Sequence, residues 1–295
     1  MKKIILFTFL LASLKLFSQT NQSYDLKWII EDDNQIAFKT AMEPIDTNNL
    51  TKIGIDCDSF ISAFSDTTNF NCEDFKEFFE SINSFYTDYS MTTVLSRDNY
   101  DAIDVKLISV KNNSTNLSDS VPDFFAQAMT GVQLRGKINE DGGIESFYMK
   151  KEQMNLLAIM FELPTKPVRI GDKWTIQASF ISNDHNFICN DYDKKHLVEL
   201  VDVKTINGED IAFIKYDLRY YVNGEFNNPF LGKTIPTKMD VAFNGISEFN
   251  ITLGKWKNYN GIMSMFVSGI MNTNTKQRFS LVELEEIPNE LLMVK

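Results

Sequence analysis

Alternation of apolar and polar residues along most of the chain predicts a protein built mainly from β-strands. Residues 24–30 alternate in this way, and turn-forming residues at 32–34 separate them from residues 36–42, which predicts a hairpin. The pair Asn207-Gly208 predicts a tight turn between two long strands. The same alternation predicts strands at 90–96, 101–111, 132–138, 144–149, 196–206, 211–222, 241–251 and 279–284.

Three segments in the first half instead have the spacing of apolar residues that is typical of helices. Residues 73–89 repeat aromatic residues every three or four positions, after Asn71 as an N-cap. Residues 120–129 begin like a capped helix, and residues 150–162 are apolar nearly all round, which predicts a buried helix. The expected fold class is therefore α+β: a β-rich, strongly curved antiparallel sheet, or sheets, with two or three helices packed on it in the first half.

A proline-rich segment marks the expected division of the chain. Pro164 and Pro167 end the third predicted helix, because proline cannot continue a helix and restricts the residue before it. We expect residues 19–165 to form an α+β half with hairpins and helices, and residues 166–295 to form a predominantly antiparallel β half. The length allows a large core, as one domain or two.

Residues 1–18 have the pattern of a secretory signal peptide. Lys2 and Lys3 precede the apolar run 4–12, and Ser18 is a small residue before a polar segment. The run is too short to span a bilayer, and no later run reaches about 18 apolar residues. We expect export to the periplasm or the extracellular space, with no transmembrane segment after cleavage.

The charge of the chain limits its partners. The formal net charge is -11, and cleavage after residue 18 would remove three lysines and no acid, which changes it to -14. An acidic protein repels the phosphates of nucleic acids and anionic lipid headgroups. We therefore expect no nucleic-acid partner. The partners that remain possible are a lipid or another apolar small molecule, for the reasons given below, and an envelope protein.

Few residues could carry catalysis or bind a metal ion. The two histidines, His185 and His196, share one polar segment with Cys189 and several aspartates, from which a zinc or a calcium site could be drawn. The spacing matches no common signature of either site, and a solvated loop between strands is the simpler interpretation. Nucleophile, phosphate-loop and dinucleotide motifs are absent from the sequence. We expect no catalytic residue, no metal ion and no cofactor.

The three cysteines leave two alternatives open. Cys57 and Cys72 are the nearest pair, and secretion would permit a bridge between them, while three unpaired, buried thiols are the simpler interpretation. Either way, the chain is not a small disulfide scaffold.

The segment 262–271 is the main indication of a binding site. It is apolar on both sides, with Met263 and Met265 on one face and Phe266 on the other, so it is either buried on both faces or lines an apolar cavity. Together with the aromatic helix predicted at 73–89, it predicts an apolar cleft. The candidate ligand-binding residues are Phe78, Phe85, Met263, Met265 and Phe266; ordinary core packing explains the same pattern.

One segment carries a resemblance to a family. It reads Leu163-Pro164-Thr-Lys-Pro167-Val-Arg-Ile-Gly171-Asp172-Lys-Trp174. With the Gly142-Gly143 segment and the hairpin around Asn207-Gly208, it resembles an uncharacterised family of secreted Bacteroidetes proteins, over most of residues 24–286. The resemblance implies export and a β-rich fold, and it implies no reaction.

Three functions remain open on the sequence. The first is a secreted or envelope binding protein without catalytic activity, which holds an apolar ligand or lipid between sheet and helix. The second is an interaction module of an envelope assembly. The third is a hydrolase that uses carboxylates, which need no fixed spacing in sequence.

Overall fold

The computed structural model describes residues 22–32, 34–45, 54–55, 89–97, 102–111, 131–147, 158–178, 187–228, 233–269 and 271–292. Strands make up 70% of these residues. The strands are β1 Gln35–Pro44, β2 Gly54–Ile55, β3 Tyr89–Arg97, β4 Ile103–Lys111, β5 Gly131–Ile138, β6 Ile144–Phe147, β7 Lys173–Trp174, β8 Phe187–Ile206, β9 Glu209–Asn228, β10 Lys233–Asn250, β11 Lys255–Ser268 and β12 Met271–Glu283.

Eleven of these strands form one open antiparallel sheet. Their order is β6-β5-β4-β3-β1-β12-β11-β10-β9-β8-β7, and the short β2 pairs with the beginning of β12. β1 therefore joins two groups of strands, because it pairs with β3 on one side and with β12 on the other. The sheet crosses the predicted division between residues 19–165 and 166–295, and that division stays a prediction.

The predicted α+β class is wrong, although the β-rich character is confirmed. Helix makes up 4% of the described residues, with one short helix, Asn289–Leu292, instead of two or three helices packed on the sheet. Residues 158–161 are helical at the end of the third predicted helix. Tyr89, predicted as the last residue of the first helix, begins β3; the rest of 73–89, and all of 120–129, lie outside the described residues.

Alternation along the strands gives the sheet an inner and an outer face. The inner face carries the main core, which includes Phe38, Leu95, Tyr216 and Phe243. Residues 158–163 and the segment 24–30 pack on part of this face. Three buried rings donate hydrogen bonds to successive carbonyl oxygens there: Trp28 Nε1 to Phe161 (2.8 Å), Trp256 Nε1 to Met160 (2.7 Å) and Tyr259 Oη to Ile159 (2.7 Å).

The outer face is partly apolar and partly charged. On β1, β3 and β4, Leu291 of the C-terminal helix packs against Ala37, Val94 and Ile108. On β9 and β10, Arg219 forms a two-pronged ion pair with Asp240, at 3.0 and 2.7 Å. Exposed pairs of this kind add little stability, but they keep a sheet face compatible with water.

Candidate functional site

Five methionines of β1, β3, β10 and β11 lie on the inner face of the sheet. Strand pairing places each beside an inner-face residue of a neighbouring strand. Because directly paired residues point to the same side of a sheet, all five share one face. We call this set the methionine surface; its members are Met42, Met91, Met239, Met263 and Met265.

The methionine surface begins where the core ends. Met91 and Met263 are partly buried and pack against the core, whereas Met42 is 52% exposed. Methionine is unbranched and polarisable, so it adapts to apolar partners of different shapes. The inner face carries an aromatic core at one part and partly exposed methionines at another. An apolar molecule could therefore bind to the methionines without a change in the core.

The candidate ligand-binding residues predicted from the sequence do not all lie on one face of the sheet. Met263 and Met265 lie on the inner face, opposite Phe243 and Val241. Phe266 lies on the outer face, 43% exposed and paired with Asp240. Strand β11 is thus not buried on both faces at this point. Phe78 and Phe85 lie outside the described residues.

Sequence reasoning missed Met42, Met91 and Met239. Each continues a two-residue alternation with a core residue: Met42 with Phe38, for example, and Met239 with Phe243. Alternation assigns a residue to a face of its own strand. It does not say which strands are neighbours, so it could not bring residues from β1, β3, β10 and β11 together.

Three buried hydroxyl groups without a hydrogen-bond partner border the methionine surface. They belong to Thr40, Thr93 and Ser109. Met91 pairs directly with Thr40 on one side and Ser109 on the other, and Thr93 follows two residues later on the same face. All three hydroxyls therefore surround one methionine. Buried polar groups are nearly always hydrogen-bonded, so the cluster needs an explanation.

Two further buried polar groups without a hydrogen-bond partner lie at the β9-β8-β7 end of the sheet. The Tyr216 hydroxyl and the Trp174 indole N–H are both buried without a partner, and both residues pair with Val198. Burial, with a smaller contribution from the charge of Glu162, raises the pKa of the Tyr216 phenol well above its usual range. Tyr216 is therefore neutral at physiological pH.

His196 is buried on the inner face of β8. Its Nδ1 lies 3.2 Å from the Ile176 carbonyl oxygen, and its ring is 6.2 Å from that of Tyr220. Burial first, and then the charge of Lys194, lowers the pKa of His196 to about 4. Because the unperturbed pKa is about 6.5, this imidazole is uncharged at neutral pH.

The polar segment around the histidines is a strand and not the predicted loop. Residues 187–196 belong to β8, with the thiol of Cys189 exposed. Within the described ranges, no group of three or more His, Cys, Asp or Glu residues is placed to hold a metal ion. His185 lies outside those ranges.

A polar groove lies elsewhere on the molecule. It encloses about 500 Å³ between Tyr24 and residues 203–206, with Asp210 also in its lining. Burial, and then the charges of Asp210 and Asp202, raises the pKa of the Tyr24 phenol. No residue of the methionine surface lines this groove, so the two features are separate.

Fold and surface together define the class of the protein: an open, antiparallel β-sheet protein whose inner face is partly aromatic core and partly methionine surface. The chain matches no protein-family model, no curated protein and no solved structure. The resemblance to secreted Bacteroidetes proteins therefore stays a prediction. In the part of the chain that the structure describes, no helix has the length and apolar character that crossing a membrane requires.

Proposed function

We propose that this protein binds an apolar molecule, such as the acyl chain of a lipid, against the methionine surface, and that it does so without catalysis. Export from the cytoplasm belongs to the same proposal, because residues 1–18 have the pattern of a signal peptide. The ligand would be held by contact and by exclusion of water.

The observation that carries this proposal is the shared face of the five methionines. Contiguous exposed apolar surface is unfavourable in water, and soluble proteins keep it mainly where it is used for binding. Val222 and Val241, which are buried, pair with Met239 and Met265 and continue the surface without a charge. Ligand sites are commonly of this kind, mostly apolar with a few polar groups.

The outer face of the same strands differs from the inner face, because it carries charged residues. At Met265 the inner face is uncharged, because Met265 pairs with Val241 and Thr275, whereas the next residue, Phe266, is paired with Asp240, which is bound to Arg219. An apolar ligand on that side would have to bury or displace charged groups, which is costly. The proposal therefore predicts that one face of β11 binds the ligand and the other does not.

Two neighbouring substitutions test this prediction. Met265→Glu puts a charge on the methionine surface, and Phe266→Glu puts the same charge on the outer face as a matched control. Uptake of the fluorescent apolar probe 1-aminoanthracene by the purified full chain is measured at pH 7. We expect Met265→Glu to weaken uptake by at least about tenfold, because the bound probe would desolvate the carboxylate, and Phe266→Glu to change it less than about twofold.

Thermal unfolding of each variant shows that it is folded before its affinity is compared. Equal loss of uptake in the two variants, or no uptake by the unmodified chain, would contradict the proposed function. Native mass spectrometry of the purified chain provides a second measurement, in which we expect a bound apolar molecule that organic solvent removes.

A further inference from the structure

We propose that the ligand of the methionine surface carries an uncharged hydrogen-bond acceptor, such as the carbonyl oxygen of an ester or amide, and that the hydroxyls of Thr40, Thr93 and Ser109 bind it. This inference rests on the proposed function and adds the chemical class of the ligand.

The three hydroxyls belong to neighbouring positions around Met91 on the inner face. Thr40, Met91 and Ser109 form one row across β1, β3 and β4. Neighbouring strands are about 4.8 Å apart, so Thr40 and Ser109 are separated by about 10 Å, with Thr93 about 7 Å along the central strand from Met91. An ester or amide group above Met91 would lie about 5 Å from the backbones of both Thr40 and Ser109, so that one of its oxygens could accept a hydrogen bond from either residue.

The burial of the hydroxyls gives the energetic argument. Thr93 and Ser109 are at most 1% exposed and Thr40 is 7% exposed, and none of the three has a hydrogen-bond partner. A buried hydroxyl without a partner costs about 1–3 kcal/mol. Three such costs beside an apolar surface are unexpected in a plain core, where valine or alanine would fit, and they are offset when a ligand accepts the hydrogen bonds.

The surroundings of the hydroxyls favour a neutral acceptor over an anion. The row of Thr40, Met91 and Ser109 carries no charge, and the residues that continue it along β3 on the same face, Thr93 and Leu95, are uncharged as well. Moving a carboxylate or phosphate out of water at this position would cost more free energy than hydrogen bonds from the hydroxyls would recover. The chain as a whole also has a net charge of -11.

The test compares two probes of equal chain length, methyl palmitate and octadecane, which differ in the ester group. Each displaces 1-aminoanthracene from the full chain and from the Thr93→Val/Ser109→Ala variant. Thr92→Val is the matched control, because Thr92 is a buried threonine on the outer face of the same strand. We expect the double variant to bind methyl palmitate about 5- to 20-fold more weakly and octadecane with unchanged affinity.

Stability gives an independent readout. Removal of two hydroxyls that have no partner in the free protein should leave the melting temperature unchanged or raise it. A lower melting temperature would instead show that the hydroxyls are already bonded, for example to buried water, and would overturn the inference. Binding of both probes with no preference for the ester would overturn it too, while the proposed function would stand. Failure of the unmodified chain to bind either probe would overturn both.

Discussion

At the residue scale, two adjacent tyrosines show how a single hydrogen bond changes the role of the same side chain. The rings of Tyr216 and Tyr259 are fully buried, with centroids 5.5 Å apart. Tyr259 donates its hydroxyl to the Ile159 carbonyl oxygen at 2.7 Å, whereas the Tyr216 hydroxyl has no partner. The two residues are therefore a matched pair for substitution by phenylalanine.

We expect Tyr259→Phe to lower the free energy of unfolding by about 1–3 kcal/mol, because it leaves the buried Ile159 carbonyl without its donor. Tyr216→Phe should be neutral or stabilising by up to about 1 kcal/mol, because it removes a buried hydroxyl that is not bonded. Urea unfolding of the two variants measures both values. A comparable loss in Tyr216→Phe would mean that its hydroxyl is bonded in solution.

The residues of the candidate site were only partly predictable from the sequence. Met263 and Met265 could be found because residues 262–271 carry no charge on either side of the strand. The hydroxyls of Thr40, Thr93 and Ser109 could not, because threonine and serine are common on either face of a strand. Their significance depends on burial and on missing partners, which are properties of the folded molecule.

At the element scale, the turn between β5 and β6 is fixed by its contact with the helical residues 158–161. Gly142 has a positive φ of 74°, and an added Cβ would lie 1.8 Å from the Phe161 carbonyl oxygen. Gly208, in the turn between β8 and β9, has a φ of 87° but open space around its Cα. The two glycines thus share a left-handed backbone conformation, which is strained only for residues with a side chain, and they differ in their surroundings.

Gly142→Ala should therefore destabilise the protein by at least about 3 kcal/mol, because the backbone of residues 161 and 162 would have to move. Gly208→Ala should cost only about 1 kcal/mol, the usual penalty of a side chain in the left-handed region. Chemical denaturation compares the two variants. Similar losses of stability in the two variants would show that the turn is not in close contact with residues 161 and 162.

The first predicted helix was extended too far at its end, for an identifiable reason. Phenylalanine and tyrosine suit strands as well as apolar helix faces, so a three-to-four-residue spacing of aromatics does not exclude a strand. Tyr89 illustrates this: it extends the helical spacing of residues 73–89, but it pairs with Lys111 as the first residue of β3. Hairpins such as β8–β9 were predictable because Asn207-Gly208 determines the turn locally.

The free edge of β8 explains why strand addition is not the proposed function. Among the described residues, β7 pairs with β8 only at Lys173–Trp174, and the register of β8 with β9 is irregular at Cys189/Asp191 and Leu200/Asp202, which indicates bulges in β8. Exposed Lys194 and Lys195 lie between these irregularities. Bulges and lysines are the features by which proteins prevent edge-to-edge pairing.

At the scale of the whole molecule, β1 and the helical residues 158–161 tie the two predicted halves to one core. Trp28 from the first half contacts Trp256 from the second, with ring centroids 6.0 Å apart, and both donate hydrogen bonds to residues 158–161. β1 also pairs with β12, which is more than 200 residues later in the chain. Local sequence patterns carry no information about such distant pairings.

A shared core predicts that the described sheet unfolds as one unit, because neither half can lose its structure without exposing apolar surface of the other. The three tryptophans allow this to be measured. In Trp174→Phe/Trp256→Phe, the remaining reporter is Trp28 of the first half; in Trp174→Phe/Trp28→Phe, it is Trp256 of the second. In each variant, we expect the fluorescence and far-ultraviolet circular dichroism transitions in urea to coincide. Two separated transitions, with Trp28 and Trp256 following different ones, would instead support a division of the chain near residue 165.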